Sequence, residues 1–120
     1  MSHCVANFTI TKGVDNTFVF TIKEDGSTLP MVIESSDTFK VHLVQLKDSS
    51  TVLTKQLTTV DALSGKISLV LTAAEVNSLD GDRGTKADRY YLRPTYKIVI
   101  ECSTSKSGDF IAKVPEVYVD

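Results

Sequence analysis

Thr17-Phe18-Val19-Phe20-Thr21-Ile22-Lys23 places three bulky apolar side chains, Phe18, Phe20 and Ile22, at every second position. Successive side chains of a strand point to opposite faces, so this spacing predicts a strand with one face on a core and the other in water. The same rhythm recurs on both sides of it. Phe8-Thr9-Ile10 precedes it, across a turn at Lys12-Gly13-Val14-Asp15-Asn16. Phe39-Lys40-Val41-His42-Leu43, Ile67-Ser68-Leu69-Val70-Leu71, Tyr96-Lys97-Ile98-Val99-Ile100 and Phe110-Ile111-Ala112-Lys113-Val114 follow. About seven such segments, separated by turn residues, predict an all-β antiparallel sandwich. Its expected core includes Phe18, Phe20, Ile22, Phe39, Val41, Leu43, Ile67, Leu69, Leu71, Ile98 and Ile100.

Between these strands the punctuation is legible. Glu24-Asp25-Gly26-Ser27 reads as a tight reversal, because Asp-Gly tolerates the backbone angles that hairpin turns need. Pro30 has no N–H to give a ladder, so Leu29-Pro30-Met31-Val32-Ile33 is either an edge strand or a crossing loop. Thr51 to Leu57 is a further strand rich in β-branched residues, and Asp61 to Gly65 a turn. Thr72 and Glu75 have capping-box spacing ahead of one or two helical turns, with Val76 and Leu79 tucked beneath the sandwich. Asp80 to Arg89 is polar, holds Gly81 and Gly84, and is expected to be an exposed loop contributing little to the fold. Pro115 interrupts the last strand and predicts a bulge or a change of partner there.

At 120 residues, 42% hydrophobic and 23% charged, the chain reads as a single domain spanning 1–120. A net charge of −2, with Arg83, Lys86, Arg89 and Arg93 interleaved by Asp82 and Asp88, does not favour nucleic acid as a partner. No apolar run approaches the roughly 20 residues of a membrane helix, and no secretory signal is visible. Folding in a cytoplasm, with Cys4 and Cys102 reduced, is the expectation.

The chemistry-bearing residues form no constellation in the sequence. His42 alternates with Val41 and Leu43 and is expected to face solvent, and neither it nor His3 has partners at zinc-site spacing. Asp80-Gly81-Asp82 opens like a calcium loop, but Tyr91 stands where the loop's closing glutamate would be. No nucleophile elbow or phosphate-cradling glycine loop is present. The expectation is a protein without catalytic residues, cofactor or metal.

Taken in order, these segments resemble the immunoglobulin-like modules of phage tail tips, collars and baseplates, including the N-terminal module of phage baseplate upper proteins. The resemblance is carried by Phe8 to Gly13 with Phe18 to Ile22, by Asp25 to Pro30, and by Phe39 to Val44. Gly65 to Thr72 with Glu75, then Tyr96 to Ile100 and Val117 to Val119, complete it. It implies an immunoglobulin-like sandwich with one short helical turn and a non-enzymatic virion role. The implied role is a collar or baseplate ring subunit, made in the host cytoplasm, whose partners are copies of itself and other tail subunits. Recognition of carbohydrate or a cell surface is the alternative. Tyr90, Tyr91 and Tyr96 stand where such sandwiches place a tyrosine corner, and they also suit an interface. Glu116, Val117, Tyr118, Val119 and Asp120 form the candidate subunit interface, as a strand edge released by Pro115. The competing reading is that these five residues complete the domain's own sheet.

Overall fold

The computed structural model describes residues 7–23, 29–83, 92–106 and 108–120, and the alternating stretches form strands. In chain order these are β1 (Asn7–Ile10), β2 (Asn16–Thr21), β3 (Thr38–Gln45), β4 (Thr51–Gln56), β5 (Thr58–Asp61) and β6 (Lys66–Leu71). Then come the helical turn α1 (Ala73–Val76), the short pair β7 (Asp82–Arg83) and β8 (Leu92–Arg93), β9 (Tyr96–Thr104) and β10 (Gly108–Val119). One sheet has the order β1-β10-β9-β3-β4 and the second β2-β6-β5. The second sheet thus holds the equivalents of strands B, E and D, and the first those of C, F and G. With β4 added beside β3, this is an immunoglobulin-like sandwich.

One pairing departs from the antiparallel expectation. β1 runs parallel to β10, with Asn7 opposite Glu116 and Ile10 opposite Val119. No tight turn joins these two strands, so hairpin geometry does not dictate their direction. The pairing continues past the strand ends, where Asp120 N–H donates to the Ile10 carbonyl (2.8 Å) and Lys12 N–H to that of Asp120 (3.0 Å).

The core lies between the two sheets. Phe20, Ile22, Phe39, Val41, Leu43, Ile67, Leu69, Leu71, Ile98 and Ile100 are all buried in it, as their alternation predicts. Phe18 instead sits half-buried on the outermost strand of its sheet, packed against the core from the side. Cys102 is buried as a small apolar group, whereas Cys4, His3, Tyr90 and Tyr91 lie outside the described residues.

The segment around Pro30 bridges and then crosses. Pro30 pairs with Lys23 in an isolated bridge. Beyond it, Met31 N–H donates to Ile22 O and Ile33 N–H to Ala62 O, both at 2.8 Å. This lays Met31 and Ile33 into the core. Gly65 makes the crossing possible: its φ is +66°, and a Cβ there would stand 2.6 Å from Met31 O and 2.7 Å from Ile22 O. The run after Thr51 also divides. Buried Leu57 donates its N–H to Phe39 O (2.9 Å), and the chain then passes into the second sheet as β5. The strand expected over Thr51 to Leu57 thus ends where the crossing begins, and β5 is a further strand not among those expected.

At the helical turn both halves of the capping box are formed, Thr72 accepting from Glu75 N–H and Glu75 accepting from Thr72 N–H. Val76 and Leu79 are buried beneath it, as expected. Of the Asp80–Arg89 stretch, residues 84–89 lie outside the described residues, and 80–83 are less detached than predicted. Asp80 N–H donates to Tyr96 Oη (2.9 Å), and Thr95 Oγ1 donates to Asp80 O (2.8 Å). β7 pairs with β8, so residues 82 and 83 carry ladder bonds of their own.

Candidate functional site

The candidate interface at the C-terminus takes the second of its two readings. Glu116 to Val119 completes the domain's own sheet, paired to β1 on one side, with Val117 opposite Tyr96 of β9 on the other. It is therefore not a released edge. Val117 and Val119 are fully within the core, while Glu116 and Asp120 are exposed and Tyr118 is half-buried. Tyr118 O–H donates to Glu116 Oε2 at 3.0 Å. The bulge that Pro115 predicts is present, as a register shift between Val114 and Val117. It moves β10 past its kink without detaching it, because the sequence on either side keeps its apolar residues inward.

The first sheet's outer face carries a row of hydrogen-bonded side chains. His42 on β3 stands directly opposite Thr54 on β4, and Glu101 on β9 lies two pairs further along, opposite Lys40. Their contacts are 2.9 Å from His42 Nδ1 to Thr54 Oγ1 and 3.0 Å from His42 Nε2 to Glu101 Oε2. An ionised carboxylate only accepts, so in the neutral ring Nε2 holds the proton and Nδ1 accepts from the threonine hydroxyl. The hydrogen bond from His42, followed by the ring's charge when it is protonated and by that of Lys40, holds the Glu101 carboxyl below its ordinary range. His42 does face outward, as its alternation predicts, but it is partnered on both sides. The partners come from strands 12 and 59 positions away in sequence, a relation visible only in the register. The order hydroxyl, imidazole, carboxylate matches that of a hydrolytic triad. Here it lies along an open sheet face with Glu101 57% exposed.

A second row stitches the sheets together. Lys55, on β4, turns its ammonium away from the outer face to reach Val70 O (2.6 Å) and Glu75 Oε1 (2.9 Å). Glu75 is thereby held below the ordinary carboxylate range, first by the Thr72 N–H bond and then by Lys55. The turn before β2 is fastened to the same corner, with Asp15 accepting from Ala73 N–H (2.7 Å) and Asn77 from Gly13 N–H (2.9 Å).

Open hollows mark the surface, and two of them bear on function. One of about 490 Å³ spans β3, β9 and β10 on the outer face, among Thr38, Lys40, Glu101, Ser103, Asp109 and Ile111. The other, of about 360 Å³, lies between the turn after β3 and the Tyr96 corner, beside Leu46, Lys47, Asp80 and Pro94. Among the described residues no three metal-binding side chains cluster, and no helix is long and apolar enough to cross a membrane. Compared with known proteins, the chain matches no family model and no curated sequence.

Proposed function

We propose that the protein is a non-enzymatic structural subunit of a phage tail, placed in a collar or baseplate ring of the virion and assembling with copies of itself and with other tail proteins. The observation that carries this reading is how little of the sandwich is covered. A single four-residue helix packs at one corner, and both sheets leave their outer faces open for neighbouring subunits among the described residues. Those faces carry exposed apolar side chains, Val19 and Val70 on one sheet and Ile111 on the other. The order of strands and turns that resembles tail modules supports the same reading. A ring requires two different patches that meet head to tail, and a two-faced sandwich supplies them.

Native mass spectrometry of the purified chain, alone and mixed with candidate tail proteins, tests the reading. The expected result is a closed oligomer or a co-complex of fixed stoichiometry. A chain that joins neither itself nor any tail protein overturns it.

Carbohydrate or cell-surface recognition is the second reading, favoured by the polar hollow over β3, β9 and β10. Saccharide binding that shifts the amide signals of Thr38, Ser103 and Asp109 would select it over the first.

A further inference from the structure

Among the described residues the edge strand β4 is open and neutral, and we infer that it is a pairing edge for a second copy of this chain. The direction of its peptide groups follows from one bond. Leu57 N–H donates to Phe39 O, and the register continues from there with Lys55 opposite Val41 and Leu53 opposite Leu43. Peptide groups alternate along an antiparallel strand. Those of Leu53, Lys55 and Leu57 therefore face β3, whereas those of Thr54 and Gln56 face away from the sheet; Val52 is the extra residue of a bulge, where the register shifts between Leu43 and Val44. β4 is the last strand on its side, so this second set lines an edge.

Edges of this kind are usually blunted by lysine, by proline, by charge or by a bulge. Here the strand reads Thr51-Val52-Leu53-Thr54-Lys55-Gln56, without proline, and its bulge at Val52 is confined to the strand's first two residues. Its one charge is withdrawn, because the Lys55 ammonium is bound to Val70 O and neutralised by Glu75. What remains on the outer face is Val52, Thr54 and Gln56, all exposed and all uncharged.

Self-complementarity identifies the occupant. An antiparallel copy related by a two-fold axis at Thr54 sets Thr54 against its own image, and the two threonines exchange N–H and C=O. No charge meets its image, and Leu53 lies across from the aliphatic stem of Lys55. Such a contact is isologous and stops at two copies, so it is distinct from the head-to-tail contact of a ring and does not depend on the phage reading. One strand pair is a small interface, so association is expected to depend on concentration.

Sedimentation equilibrium across a wide concentration range, with circular dichroism to follow the fold, tests this inference on the full chain. The expected result is reversible dimerisation of the native protein. Thr54→Pro removes an N–H that β3 does not use, and Thr54→Lys sets like charges face to face. Both should return a folded monomer, whereas Thr54→Ala, which loses only the hydroxyl bonded to His42, should still dimerise. If Thr54→Pro fails to fold, Thr54→Lys decides. A native chain that stays monomeric throughout, or a dimer that survives Thr54→Lys, overturns the inference.

Discussion

The hydroxyl of Tyr96 accepts the backbone N–H of Asp80 at 2.9 Å, while the neighbouring Thr95 hydroxyl donates to the carbonyl of the same residue at 2.8 Å. One peptide position in the connection from β6 to β9 is thus clamped on both of its polar groups. Tyr96 is fully buried at the first position of β9, which is how a tyrosine corner ties a connection to the start of this strand. Tyr96→Phe keeps the ring and removes the acceptor, leaving a partly buried N–H without its partner. Urea unfolding should show a loss of about 1–3 kcal/mol, the range for an orphaned donor. An unchanged midpoint would mean that water replaces the hydroxyl at no cost.

Much of this arrangement was legible in the chain. Period-2 alternation identified the strands that supply the centre of the core, and Thr72 with Glu75 announced the capping box, because both signals are local. Local signals also explain the failures. Thr58 to Asp61 went unassigned as β5 because all four residues are exposed and show no alternation, and Met31 and Ile33 enter the core from a segment with no regular period. The partners of Glu116 to Val119 were undecidable from patterning, since β1 lies at the far end of the sequence. The outer-face row of Thr54, His42 and Glu101 depends on the register of three strands, which alternation alone does not fix.

Gly65 should be the least replaceable glycine among the described residues. Its φ of +66° strains any side chain, and the two carbonyls a Cβ would meet, those of Met31 and Ile22, are backbone atoms that cannot swing aside. Gly65→Ala should cost about 2 kcal/mol or more, from left-handed strain plus the forced separation of the crossing segment. Gly13→Ala provides the comparison, because Gly13 also has positive φ but nothing within 4 Å of the added Cβ. A larger loss at Gly13 than at Gly65 would refute the close-approach argument.

Phe20 lies almost wholly within the core on β2, opposite Ile67 of β6. Truncation to alanine should lower stability by about 3–5 kcal/mol, the transfer and cavity cost of a buried phenylalanine. The same change at half-buried Phe18 should cost distinctly less. Equal losses in chemical denaturation would show that the two positions are buried alike.

Acid should destabilise the fold through two carboxylates. Glu101 is lowered by the hydrogen bond from His42, and Glu75 by the Thr72 N–H and then by Lys55, each from an ordinary value of 4.5. A carboxyl with a depressed folded-state pKa binds fewer protons when folded than when unfolded. Its contribution is therefore complete above the unfolded value and disappears as the pH falls below about 4.5 through the folded one. Melting temperature should be flat for these groups at neutral pH and should fall on the acid side of that value. His42→Leu removes the first cause of the Glu101 shift, and Glu75→Gln removes the second carboxylate altogether. Each should flatten part of the acid limb, and the double variant more than either alone, because the two sites share no partner. An acid limb as steep in the double variant as in the native chain would locate the pH dependence in other groups.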